Sequence, residues 1–299
     1  MSESLYLILP YFNFLNYNSG TRNINIFLNN FKKYKNTKLV LVEGVYDKEN
    51  QLPDFSNQVF KHIKLDVKNI LWIKENLINI GVKSLPEDWK FFGWIDRDIE
   101  FINPKWANTC IDKLQTCDLL QPWSECKFLD KDDNPKEDLY FGINKRVLSY
   151  CYINNSTSLK PQYFIHGGHC WCFNRKFYDK IEKLCDSAIV GGGDGLLIAC
   201  MQQKPFHPHY RYLGDTLKEY CYKFKDAKTD YMEEKILHHY HGEVKNRKYT
   251  TRYEVLYKHK FDPKTFLTYD ENGVLIFSQE GKVLEEPLKE YFIERSEDS

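Results

Sequence analysis

The chain has 299 residues, 42% hydrophobic and 16% aromatic, which excludes a disordered chain and is enough for one large domain or two small ones with a sizeable core. Its 42 Lys and Arg balance 42 Asp and Glu, so no global field gathers nucleic acid and no nucleic-acid partner is expected. Nine Cys without a CxxC pair read as buried thiols in a reducing compartment. The first apolar run stops at Pro10, too short for a signal peptide, and no stretch reaches the ~18 apolar residues of a membrane helix. A cytoplasmic protein without a membrane span is the expectation.

Residues 5–9 are an apolar run stopped by Pro10, which predicts a buried first strand. Residues 13–20 read as a loop, and 21–34 carry Ile24, Phe27, Leu28 and Phe31 at helical spacing. Strands are predicted at 39–42, ended by Glu43-Gly44, and at 59–65. A helix over 70–80, with Leu71, Lys74, Leu77 and Ile78 in period, closes at Gly81. Residues 89–95 read as another buried strand, which delivers Asp96-Arg97-Asp98 at its end. Beyond it come a helix at 106–114, an extended pair at 119–120, a charged loop at 130–137, a strand at 164–173 and a helix at 176–185. A glycine-rich turn at 189–195 opens a helix to 201. From 261 the chain reads as an arm with a turn at 270–273, a strand at 274–277 and a frayed end at 295–299. Strands alternating with helices predict an α/β sheet.

Four blocks carry chemistry. In Asp96-Arg97-Asp98 the two carboxylates share one side of an extended strand end, where α/β sheets bind ligands. Hard oxygen donors there suit Mg²⁺ or Mn²⁺ with substrate phosphates. Gly167-Gly168 lets a ligand approach the backbone closely, or makes a plain bulge. In Gly191-Gly192-Gly193-Asp194-Gly195 the glycines place Asp194 on a turn before a helix, either to reach a substrate hydroxyl or to cap the helix. His238-His239-Tyr240-His241-Gly242 gathers three imidazoles, and His239 and His241 share a side if the segment is a strand. His241 is the expected ligand, His239 stays open, and His238 is expected to be structural. Arg247, Lys248, Tyr249 and Arg252 follow, residues able to neutralise a diphosphate or to form a solvated basic surface.

Taken in order, these blocks resemble the GT-A glycosyltransferases, most closely galactosyltransferase-like and chondroitin-polymerase-like members with a C-terminal His-x-His-Gly element. The likeness covers roughly residues 5–270. It implies a Rossmann-like mixed sheet flanked by helices, with a catalytic domain over 1–260 and a small C-terminal extension over 261–299. The catalytic domain would divide into a nucleotide-sugar half (about 1–105) and an acceptor half (about 106–260). Pro10, Tyr11, Phe12 and Asn13 resemble the family's donor-base loop, with Arg22 in the next helix. Residues 94–98 resemble the Asp-x-Asp strand, which assigns Asp98 to the metal, Asp96 to the metal or the donor ribose, and Arg97 to the donor. His241 corresponds to a further metal ligand, and His239 and Arg247 fall among the donor contacts. Gly167, Gly168, Gly192 and Gly193 correspond to the acceptor side, and Asp194 to the general base of inverting members. Gly193 departs from the family's Glu at that place, so one acceptor contact is missing or comes from elsewhere.

The resemblance thus implies a Mn²⁺- or Mg²⁺-dependent transfer of sugar from a nucleotide sugar to a glycan or glycoprotein acceptor. Tyr11 and Phe12 suit stacking on uracil, which points to a UDP-sugar. A nucleotidyltransferase is the first alternative, but residues 10–20 lack the basic loop it needs. A non-catalytic carbohydrate-binding protein is the second, and it would not need Asp98, Asp194 and His241 to converge.

Overall fold

The computed structural model describes residues 3–135, 145–146, 167–204 and 208–299. Strand β1 (Leu5–Phe12) runs two residues past Pro10, where it was expected to stop. Its pairing with β4 (Phe91–Ile95) ends at Ile8, so Pro10 lies where β2 (Thr37–Val45) is the paired neighbour, an edge-like position that tolerates a missing N–H. β2 likewise runs through Glu43-Gly44, which sit in register with Tyr11 and Phe12. With β3 (Lys61–Asp66), β6 (Leu119–Gln121), β9 (Cys170–Asn174) and β10 (Thr229–Tyr231), these strands form a seven-stranded sheet in the order β10-β6-β9-β4-β1-β2-β3. Its described pairs are parallel except that β9 runs antiparallel to both neighbours, β4 and β6. The residues of the predicted strand at 164–166 lie outside the described residues.

Alternation along the strands sorts the core. Leu7, Leu9, Leu39 and Leu41 join one apolar cluster, while Ile8, Val40, Val42 and Trp94 join the other, so the sheet is covered on both faces. Helix α1 (Asn18–Phe31) turns Ile24, Phe27 and Leu28 inward, as its spacing predicts. Helix α2 (Lys74–Lys83) buries nearly its whole length, including Lys74, Glu75, Asn76 and Asn79. The helix Trp106–Leu114 matches its predicted span. A second sheet joins β5 (Ile99–Phe101), β7 (Glu125–Phe128), β8 (Lys145–Arg146) and β11 (Lys235–His238) in the order β5-β11-β7-β8. It carries the chain from Asp98 back to the histidine block.

The C-terminal hairpin pairs Leu267–Tyr269 with Leu275–Phe277. It docks on α2 and the segment before it, because Asn76 Oδ1 and Asn69 Oδ1 accept from the backbone N–H of Leu275 and Phe277 at 3.0 and 3.1 Å. Residues 295–299 do not fray. Arg295 is 5% exposed, and the Asp298 carboxylate accepts from the Asn18 and Ser19 N–H groups, each at 2.7 Å, filling the otherwise unpaired start of α1. All eight described cysteines are buried thiols. Among the described residues no helix is long and apolar enough to cross a membrane.

Candidate active site

The carboxyl ends of β1 and β4, the glycine turn before Asp194 and the segment after β11 surround one cavity of about 960 Å³. Asp98 lies on its floor, 7% exposed, with Oδ2 2.9 Å from His241 Nε2 and 3.8 Å from His238 Nε2. One ligand atom from each of Asp98, His238 and His241 falls within 4.8 Å of the others. The second carboxylate oxygen of Asp98, Oδ1, is buried with no hydrogen-bond partner. An orphaned carboxylate oxygen is costly, and beside two imidazoles it fits a bound divalent cation. Burial first and Arg247 second push the His241 imidazole below its ordinary value against the pull of Asp98, which keeps it in the neutral, coordinating form. His238 was expected to be structural; β11 ends there, the strand period breaks, and the His238 and His241 ring centres lie 5.1 Å apart beside Asp98. His239 goes the other way, to Glu100 and Asp133, each at 3.3 Å. It does not line the cavity.

Asp96 faces a different partner. The Lys74 ammonium, 4% exposed, lies 2.7 Å from Asp96 Oδ1 and 3.2 Å from Asp194 Oδ1, so one buried cation bridges the two carboxylates. Burial, with Asp194 and Asp98 nearby, raises Asp96 to about 7 against the opposing pull of Lys74. The helix Gly193–Met201 takes Gly192 as its N-cap, and no side chain closes that cap. Asp194 is therefore not spent on capping, the plain alternative for it. Gly192 has φ +97°, and a Cβ there would stand 2.5 Å from the Tyr253 hydroxyl and 2.8 Å from Arg252 Nη2. Only glycine lets the turn pass that close.

Gly193 has a different steric reason. A Cβ on it would come 2.0 Å from Glu75 Oε1, so a carboxyl group from α2 fills the room a side chain at 193 would need. Burial raises Glu75 to about 8, with Lys74 opposing and Asp194 and Asp96 adding to the rise. Because its folded value lies above the ordinary 4.5, its contribution to stability is complete below pH 4.5 and is lost as the pH climbs through 8. Glu75→Gln, which stays neutral, is expected to match the parent at pH 4.5 and to become the more stable protein above pH 8. Urea denaturation at both pH values checks this, and parallel stability curves would refute it.

Among the expected donor residues, Pro10, Phe12, Asn13, Arg97 and Arg247 line the cavity, as do Gly167, Gly168, Gly192 and Asp194. Tyr11 and Arg22 do not. Tyr11 is 3% exposed with the Arg97 guanidinium 5.6 Å above its ring, because alternation on β1 turns it into the core below Phe12. Arg22 pairs with Asp133 at 2.6 Å, the same carboxylate that receives His239, and the two help tie α1 to the second sheet. The aromatic wall is instead Phe12 with Phe14 stacked at 5.2 Å and Trp72 edge-on at 5.2 Å.

Sequence reading passed over Trp72, Lys74, Phe14 and the tail. Arg97 Nη2 reaches Glu297 Oε2 at 3.1 Å, and Arg295 clamps the other oxygen of Glu297 at 2.6 Å. Burial opposes ionisation of Glu297, but Arg295 and then Arg97 outweigh it and hold the carboxyl at about 2. The tail fits because Gly242, φ +87°, has no side chain: a Cβ there would stand 2.8 Å from the Glu297 backbone.

No family model and no curated protein matches this sequence. Solved structures do. The chain is similar to GalNAc-T7, solved with UDP, GalNAc and Mn²⁺, at TM-score 0.50 and 12% identity over 90% of this chain. It is similar to a Pyrobaculum calidifontis mannosyltransferase, solved with GDP-Man and Mn²⁺, at TM-score 0.48 and 9% identity over 87% of this chain. A third is the 4-diphosphocytidyl-2C-methyl-D-erythritol synthase of Anaerococcus prevotii, at TM-score 0.41 and 10% identity over 96% of this chain and 99% of that one. This chain spans 49% of the GalNAc-T7 chain and 63% of the mannosyltransferase chain, less than two thirds of either. At such identity the likeness defines the fold. The mixed seven-stranded sheet with helices on both faces is the GT-A fold.

Proposed function

We propose that this chain is a metal-dependent glycosyltransferase that moves a sugar from a UDP-sugar to a hydroxyl of a glycan or glycoprotein acceptor, with inversion. The observation that carries the reading is the convergence of Asp98, His238, His241 and Asp194 on one cavity at the carboxyl ends of the central strands. Asp98, His238 and His241 would hold the cation, and two imidazole nitrogens favour Mn²⁺ over Mg²⁺. A cation bound there supplies neutralisation of the charge that gathers on a departing diphosphate.

The protein's own residues do the rest. Arg247, 9% exposed and 2.9 Å from His241 Nε2, offers a fixed guanidinium for phosphate oxygens. Phe12 and Phe14, stacked, with Trp72 edge-on, form an apolar aromatic wall for the base. Lys74, 3.2 Å away, fixes the position of the Asp194 carboxylate on the cavity wall. Asp194 accepts the proton of the acceptor hydroxyl as its oxygen bonds to the anomeric carbon. The bond from that carbon to the diphosphate oxygen breaks, and its electron pair leaves on the nucleoside diphosphate. Gly167, Gly168 and Gly192 line the part of the cavity where the acceptor would lie. The proposed catalytic unit, 1–260, takes part of its cavity wall from the extension 261–299, through Phe292, Arg295 and Glu297.

The test is thermal denaturation with UDP, GDP and CDP, each with and without Mn²⁺, followed by assay of free UDP released from UDP-sugars. Stabilisation that needs both UDP and Mn²⁺, with UDP release on adding acceptor, is the expected result. Release of pyrophosphate from a nucleoside triphosphate would replace this reading with nucleotidyl transfer.

A further inference from the structure

We propose that the acceptor carries an anionic group, a carboxylate or a phosphate, and that Arg252 is its seat; this rests on the glycosyltransferase reading above. Arg252 lines the cavity, held between the rings of Tyr249 and Tyr253, each 5.1 Å away. Its Nη2 donates to the Tyr253 hydroxyl at 2.9 Å, and its Nε is buried with no acceptor. No carboxylate pairs with it among the described residues. A guanidinium has five donors and stays charged at any working pH, so most of its bonding capacity and all of its charge await an acceptor-only partner.

The acids of the cavity are already engaged. Lys74 holds Asp96 and Asp194, the histidines face Asp98, and Arg97 and Arg295 share Glu297. Burial alone would push the Tyr249 hydroxyl up, yet Arg247, Arg252 and Arg295 bring it below its ordinary value, a sign of unbalanced positive charge around that ring.

Position decides which substrate the charge reads. Arg247 adjoins His241 and the candidate metal ligands, on the diphosphate side. Arg252 lies against the glycine turn that presents Asp194: a Cβ on Gly191 would stand 3.2 Å from its Nη1, and one on Gly192 2.8 Å from its Nη2. Asp194 is the group that takes the acceptor's proton, so Arg252 stands on the acceptor's side. Stacking on two tyrosines fixes the fork in advance, which suits bidentate recognition of a planar carboxylate or a phosphate.

The experiment compares methyl glucuronide, glucose 6-phosphate and methyl glucoside as probes, binding each to the full chain saturated with UDP and Mn²⁺. The parent is expected to prefer one of the charged probes over methyl glucoside by roughly tenfold or more, the scale of a charge-assisted pair. Preference for the glucuronide assigns an acidic sugar, and preference for the phosphate assigns a phosphorylated one. Arg252→Gln should abolish the preference while leaving UDP–Mn²⁺ affinity within about twofold, and Arg252→Lys, which keeps charge and packing, should retain part of it. If the glutamine variant does not fold, the lysine variant carries the test. No preference in the parent, or an equal loss of UDP–Mn²⁺ affinity in the variants, overturns the proposal. A parent that fails to bind UDP with Mn²⁺ overturns the glycosyltransferase reading instead.

Discussion

Asp194→Asn is expected to lower turnover by ~10²–10⁴-fold while UDP–Mn²⁺ affinity stays within about twofold, the pattern of a lost general base. Asparagine keeps the shape and an oxygen for Lys74, 3.2 Å away, but cannot accept the acceptor's proton. The Gly192 N-cap is untouched, so the helix Gly193–Met201 should remain. Single-turnover transfer with saturating donor checks the rate, and calorimetric titration of UDP checks the affinity. Equal turnover in the variant would reduce Asp194 to a counter-ion for Lys74.

The second large effect belongs to Asp98. Asp98→Ala is expected to abolish Mn²⁺-dependent UDP binding, a loss of more than the ~10–100-fold seen when only a supporting contact of a metal site is removed. It takes away both the oxygen facing His238 and His241 and the orphaned Oδ1. His238→Ala and His241→Ala should each weaken Mn²⁺ binding more than Mg²⁺ binding, since the nitrogen donors are what favour the transition metal. Titration of Mn²⁺ with UDP present, beside a melting curve without metal, separates ligand loss from misfolding. An alanine variant at 98 that binds Mn²⁺ as tightly as the parent would end the metal assignment.

Much of this fold could be read before any coordinates. The apolar run into Asp96-Arg97-Asp98 and the helix at Trp106–Leu114 are local patterns that the tertiary structure does not override. The histidine block was legible as a site, but its members were assigned on the assumption that the strand continues. It ends at His238, and that one backbone change brings His238 beside Asp98 and turns His239, left open before, toward Glu100 and Asp133. Lys74 was visible as a charge at a position in register with Leu71, Leu77 and Ile78, a signal of a buried functional cation that periodicity alone reads as helix. Arg22 and Tyr11 were placed by chain order near a motif, and chain order does not say which way a side chain points. Burial of Glu297 was illegible because its partners, Arg97 and the gap left by Gly242, are far away in sequence.

The tail has a consequence for how the protein comes into being. Asn18 and Asp298 are 280 positions apart and yet bonded, and Arg97 meets Glu297 across 200. Contacts of such span are made late, because closing long loops costs entropy before anything is gained. The strands can pair early, but the wall formed by Arg97 and Glu297 is completed only when residues 295–298 pack past Gly242. A protease nick near residue 295 is therefore expected to open that wall of the cavity while leaving the sheet, and its circular dichroism, almost unchanged. The pocket is closed by contacts of long span, Asn18 with Asp298 and Arg97 with Glu297.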